Sequence, residues 1–301
     1  MKNVLFLGGL TKDLDKKWGG TVATTTAYLK SFENHPKYKI TFVPRTQTKD
    51  IDSIKKILEE IEYDILHVDD TSTIATMYEA GIQPDVIGPI SRSPIKKYGD
   101  WVAPYTADYF YQSKVIRLNQ SEEKVGNLDY TDRIHFINHG IDTDNLVPSD
   151  KQKKYILWAG DKKRYAKGFP MWEEILENVT LPEEFEFLTL SDYNVEDYWK
   201  ILDETKIIVN TSLYESFCAA MFEAKSKGIP SIYRKNLHNG RHLDGKIQVD
   251  YNWQSYGIAI NDLLLNEELW QTEAKASREY TVNNFSLKRM AESYSRIYDT
   301  I

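Results

Sequence analysis

The chain has 301 residues, 41% hydrophobic and 28% charged, with a formal net charge of -7. That is an ordinary globular composition, long enough for two domains of moderate size, and its acidic balance argues against a surface built for nucleic-acid phosphates or anionic lipid. One cysteine, Cys218, excludes an internal disulfide, and no run approaches the roughly 18 apolar residues of a membrane span, so a cytoplasmic protein without stable membrane insertion is expected.

Residues 4–7 read as a first strand, too short an apolar run for a signal peptide. A helix is expected over 22–32, a strand over 39–43, and a helix over 51–61 with Ile54, Ile57, Leu58 and Ile61 on one face. Strands follow at 64–68 and 85–90, separated by a helix at 71–80, and two more at 115–118 and 134–137. The polar, proline-bearing stretch 146–154 is the expected linker, dividing a first domain, 1–146, from a second, 147–301. The second repeats the alternation: strands at 155–159, 185–190, 207–210 and 231–234, helices at 170–177 and 195–202, and helices to the end, the last over 287–301. Alternating strands and helices predict an α/β architecture of two Rossmann-like doubly wound domains facing a cleft.

Three features carry chemistry. Glu215 and Glu223 stand eight apart on the loop and helix that follow the apolar run 207–210. The C-terminal end of a parallel strand is where open α/β sheets bind ligands, and a helix over 216–223 would space the two carboxylates by roughly 12 Å. Lys162, Lys163, Arg164 and Lys167-Gly168 follow the strand that ends near Gly160, where cations are able to neutralise a diphosphate. The first strand-to-helix loop carries Gly8-Gly9 and Gly19-Gly20, which let backbone approach a phosphate; it is not G-x-G-x-x-G, which disfavours a nicotinamide cofactor. Taken singly, each has a plainer reading as solvated carboxylates, a solvated charge run or a surface loop. Asp69-Asp70 alone does not argue for a metal, and none is expected. The lysines and aromatics of 96–111 would suit an acceptor surface or a partly buried aromatic helix.

In order, Ile137-Asn138-His139-Gly140-Ile141-Asp142, then Trp158-Ala159-Gly160 with Lys167-Gly168, then Ser212-Leu213-Tyr214-Glu215 through Glu223-Ala224, then Gly228-Ile229-Pro230, resembles the retaining GT-B glycosyltransferases of the group-1 type, with their E-x7-E motif. The resemblance implies two Rossmann-like domains with a C-terminal helix crossing back to the first. It implies transfer of a sugar from a nucleotide-diphosphate sugar, the co-substrate, to an acceptor hydroxyl with retention, without further cofactor. The acceptor would be a saccharide, a lipid-linked sugar or a modified DNA base. Carried over, Glu223 holds the ribose and Glu215 the donor-sugar hydroxyls. Lys167 is the diphosphate cation, with Arg164 or Lys162 as a second. Ser216, Phe217 and Cys218 offer backbone amides, Gly19 and Gly20 pack on the phosphates, and Tyr193 lies where the base is held. Asp161 stands where the family has arginine, and Ser216 where it has glycine. Those departures keep open an inactive GT-B-like or two-lobed ligand-binding protein.

Overall fold

The computed structural model describes residues 1–8, 20–90, 115–118, 134–191, 193–213, 215, 217–235, 237 and 247–301. Its strands form two sheets in which every pairing among the described residues is parallel. The first contains β1 (Lys2–Gly8), β2 (Tyr38–Pro44), β3 (Ile65–Asp69), β4 (Val86–Ile90), β5 (Val115–Leu118) and β6 (Ile134–Phe136), in the order β2-β1-β3-β4-β5-β6. The second contains β7 (Tyr155–Ala159), β8 (Glu186–Leu190), β9 (Thr205–Asn210), β10 (Ser231–Arg234) and β11 (Gln248–Val249), in the order β11-β10-β9-β7-β8. Each sheet grows outward in both directions from its first strand. The order therefore reverses between β1 and β3 and again between β7 and β9, the doubly wound pattern whose switch points open a crevice at the strands' C-terminal ends.

The chain divides into two compact units, one holding the first sheet and also Leu287–Ile301, the other spanning Ile141–Ser286. In the first unit α1 (Gly20–Ser31), α2 (Ile51–Glu60) and α3 (Thr71–Glu79) follow β1, β2 and β3. A strand covered on both faces sends alternate side chains to opposite layers. Val4 and Phe6 of β1 accordingly meet Ala27, Tyr28 and Phe32, whereas Leu5 and Leu7 meet Ile54, Ile74 and Met77. The expected face of α2 is the buried one, with Ile54 fully enclosed and Ile57, Leu58 and Ile61 against the same core. Asp50 caps that helix by accepting from the Ser53 amide at 2.8 Å, a bond worth about 1 kcal/mol.

The second unit adds α4 (Phe169–Asn178), α5 (Val195–Asp203), α6 (Ala219–Ser226), α7 (Trp253–Leu265) and α8 (Glu267–Phe285). Met171, Trp172 and Ile175 of α4 and Tyr256, Ile260 and Leu263 of α7 cover one face of its sheet. Tyr198 and Leu202 of α5 and Met221, Phe222 and Ala224 of α6 cover the other. All six residues of β9 are buried. The stretch 146–154, expected to link the domains, lies in this unit. Leu146 is buried, and its carbonyl accepts from the Ser226 hydroxyl at 2.8 Å and the Arg278 guanidinium at 3.1 Å. The last helix, α9 (Leu287–Tyr298), buries Met290, Ala291, Tyr294, Ile297 and Tyr298, one helical face, in the core of the first unit. No helix among the described residues is long and apolar enough to cross a membrane.

Candidate functional site

The switch point between β7 and β9 brings together two loops, 160–168 after β7 and 211–218 after β9. In the first, Asp161 closes the turn: its carboxylate accepts from the Lys163 amide at 3.0 Å and its carbonyl from the Arg164 amide at 3.1 Å. A single turn of 3-10 helix, Tyr165–Lys167, follows and ends at Gly168, whose φ of 63° lies in the left-handed region. No other residue fits there. A Cβ on Gly168 would sit 1.9 Å from the carbonyl oxygen of Thr211.

Hydrogen bonds hold the loops at that approach. The Trp158 indole donates to the Thr211 hydroxyl at 2.9 Å, the Thr211 hydroxyl donates to the Lys167 carbonyl at 3.1 Å, and the Leu213 amide donates to the Ala166 carbonyl at 2.8 Å. Across this seam the Lys167 ammonium donates to Glu215 Oε1 at 2.6 Å, and the Ser212 hydroxyl donates to the same oxygen at 2.7 Å. The Lys167 and Glu215 side chains are 19% and 10% exposed. Burial is the largest single influence and pushes the lysine pKa down, but the Glu215 charge and hydrogen bond, together with Cys218, outweigh it and the net shift is upward, so Lys167 is a cation at neutral pH. An ammonium and a carboxylate at a loop edge, each able to exchange its partner for one on a ligand, suit a substrate bearing phosphate and hydroxyls together.

Eight residues on, Glu223 is 4% exposed on α6. Burial raises the phenols of Tyr193 and Tyr198, and the Glu223 charge raises both further. Their rings lie 5.0 Å apart, and the Tyr198 hydroxyl donates to the Ala220 carbonyl at 2.7 Å. The helix expected from Ser216 starts instead at Ala219. Asn210 is the reason: its amide nitrogen donates to Cys218 Sγ at 3.0 Å while its oxygen accepts from the Ser212 amide at 2.8 Å, pinning both ends of the loop. Phe217 turns inward and stacks on Phe222 with centroids 4.7 Å apart. Cys218 is buried, and burial first, then the Glu215 charge, pushes its thiol up to about 12, which makes it a packed thiol and not a nucleophile.

Lys162 and Arg164 are exposed, the former with its ammonium 5.0 Å above the Phe169 ring. Gly20 begins α1. Gly19, Ser216 and the segment 96–111 lie outside the described residues. Among the described residues no cluster of three or more His, Cys, Asp or Glu side chains suits a metal ion. Asp70 instead caps α3, accepting from the Thr73 amide at 2.9 Å. Sequence reasoning assigns no role to Thr211, Asn210, Ser212 or Trp158, the last two standing only within the motifs that carry the resemblance. The signal for the first three was the run Asn210-Thr211-Ser212 at the end of β9, polar residues at the ligand-bearing end of a parallel sheet.

Among solved structures, sucrose-phosphate synthase from Thermosynechococcus elongatus has a TM-score of 0.77 at 11% identity, over 99% of each chain. Anabaena HepE in complex with UDP reaches 0.72 at 12% identity over the whole of both chains. An alpha-glucosyltransferase in complex with UDP and a 13-mer DNA containing a HMU base reaches 0.68 at 12% identity, over 99% of this chain and 98% of that one. The chain shares the fold of GT-B glycosyltransferases. Its sequence matches no protein-family model and no curated protein.

Proposed function

We propose that the protein is a retaining, nucleotide-sugar-dependent glycosyltransferase, with a UDP-sugar as its first candidate donor. One observation carries the reading: the Lys167–Glu215 pair and the buried Glu223 gather at the switch-point edge of one parallel sheet. Support for the nucleotide comes from the shared fold, since HepE and the alpha-glucosyltransferase are both solved with UDP.

In this reading the donor diphosphate draws the Lys167 ammonium away from Glu215, and the released carboxylate accepts hydrogen bonds from hydroxyls of the donor sugar. Glu223 accepts from the ribose hydroxyls, with Tyr193 alongside the base. Arg164 or Lys162 is the second phosphate cation in place of the arginine that Asp161 replaces, while backbone amides of 216–218 face the phosphates. The bond between the anomeric carbon and the diphosphate oxygen breaks, and a bond from the acceptor oxygen forms on the same face. The acceptor's proton goes to the departing phosphate oxygen. Positive charge on Lys167 stabilises the leaving group as its negative charge develops.

Incubation with UDP-, GDP- and ADP-sugars without acceptor tests this. Slow release of one nucleoside diphosphate is expected, reduced about 10²- to 10³-fold by Lys167→Ala and by Glu223→Ala, the scale on which such stabilising groups act. Near-normal release by both variants, or none from any donor with the unaltered chain, sinks the assignment.

A further inference from the structure

The second unit holds a cation that the proposed donor site does not use. Arg234 is the last residue of β10. The register pairs Ser231 with Ile208, Ile232 with Val209 and Tyr233 with Asn210, so Arg234 stands one step on, level with Thr211. Strand alternation puts it on the face of Ile232, the face that α4 and α7 cover, and on the side of the sheet to which Thr211 sends its hydroxyl for Trp158.

Three observations single it out. Its Nε is buried and, among the described residues, without a hydrogen-bond partner. A charged donor left so costs about 1–3 kcal/mol or more, a cost seldom retained where nothing is bound. No carboxylate forms an ion pair with it among the described residues: Asp250 is taken by Lys235 at 3.1 Å. Its guanidinium carbon lies 5.3 Å from the centroid of the Tyr251 ring, a cation–π arrangement that orients the fork. Tyr251 in turn reaches back to the donor loop, because a Cβ on Gly168, the residue after Lys167, would lie 2.8 Å from the Tyr251 hydroxyl. Tyr165, on that same loop three residues before Gly168, is 81% exposed.

We propose that Arg234, Tyr251 and Tyr165 form an acceptor subsite for an acidic sugar, one that carries a phosphate or a carboxylate group. The guanidinium fork fits either anion in bidentate fashion, and the exposed tyrosine offers a flat apolar face to the sugar ring. With Lys167 committed to the donor diphosphate, the charge at Arg234 belongs to the second substrate. The word acceptor rests on the glycosyltransferase reading; the binding itself does not.

The test is calorimetric titration of the full chain with glucose, glucuronate and glucose 6-phosphate, with UDP, GDP and ADP titrated separately. At least one acidic sugar binds about tenfold or more tightly than glucose, the gain expected of one charge-assisted pair. Arg234→Gln abolishes that preference and keeps the UDP affinity, whereas Tyr165→Ala, at an exposed position, weakens binding of every sugar and keeps the preference. Comparing the two acids tells phosphate from carboxylate. Equal binding of all three sugars by the unaltered chain overturns the proposal, as does an acid preference that survives Arg234→Gln. Loss of UDP binding in Arg234→Gln also overturns it, since Arg234 would then belong to the donor site. An unaltered chain that keeps the acid preference but binds none of UDP, GDP and ADP leaves the subsite standing and removes the glycosyltransferase reading instead.

Discussion

Each sheet places ionisable side chains near its switch point, and the two units treat them in opposite ways. In the first, His67 lies in the middle of β3, fully buried, with Nδ1 2.7 Å from the Tyr298 hydroxyl and the Tyr28 hydroxyl 2.5 Å beyond. Phe6, Tyr28 and Tyr294 ring it with centroids 4.8–5.6 Å away. In the second, Lys167 and Glu215 meet on loops past the ends of β7 and β9, partly open to solvent. Position along the strand makes the difference. A polar group inside a strand faces the layer between sheet and helix, where it ties α9 to the first core. The same kind of group beyond the strand end is held by loop bonds and stays free to change partners.

That contrast can be broken most sharply at two glycines. Gly168 and Gly81 both have positive φ, 63° and 67°, one in each unit. Gly81→Ala meets nothing within 4 Å, so only the backbone cost of about 1–2 kcal/mol is expected. Gly168→Ala must move the Thr211 carbonyl and the loop behind it, so a loss well above 3 kcal/mol is expected, or failure to fold. Paired denaturation curves read the difference, and equal midpoints would refute it.

Next in size is Lys167→Met, which leaves the largely buried Glu215 carboxylate, among the described residues, with the Ser212 hydroxyl alone. A loss of about 3 kcal/mol is expected from removing one partner of such a pair, together with the loss of nucleotide release. Tyr298→Phe takes the hydroxyl from between His67 and Tyr28. It costs about 1–3 kcal/mol in chemical denaturation and leaves nucleotide release per folded molecule unchanged. A fall in release would give His67 and its tyrosines a part in the chemistry that their burial argues against.

The smallest effect is on pH dependence. The folded pKa of Lys167 lies above its ordinary value of 10.5. Such a group stabilises the fold fully below its unfolded pKa, and that contribution is lost as pH rises through the folded value. The gap in melting temperature between the unaltered chain and Lys167→Met therefore holds from neutral pH to about 10 and narrows above it. A gap that widens with alkali would contradict the pairing.

Parts of this were legible in the residues. The apolar run of β9 and the spacing of Ile54, Ile57, Leu58 and Ile61 each follow from local periodicity, which burial on a sheet enforces. The order of Lys167-Gly168, Glu215 and Glu223 likewise stood in the chain for inspection. The two-residue strand β11 did not, because pairing with β10 and not its own composition defines it. Nor did the start of α6 at Ala219, which the side chain of Asn210 decides from eight residues away.

What the sequence determined by itself is therefore the alternation of strands and helices, which faces are apolar, and the kinds of charge at the strand ends. The tertiary structure alone decided which of those charges meet. Lys167 and Glu215 are 48 residues apart and belong to loops that nothing local joins. Winding the second sheet both ways from β7 sets their strands side by side, and the glycine at 168 lets the loops close. Arg234 shows the same dependence in reverse: its residue type announces a charge, and only the packing around it shows that its Nε is buried beside the Tyr251 ring with no hydrogen-bond partner among the described residues.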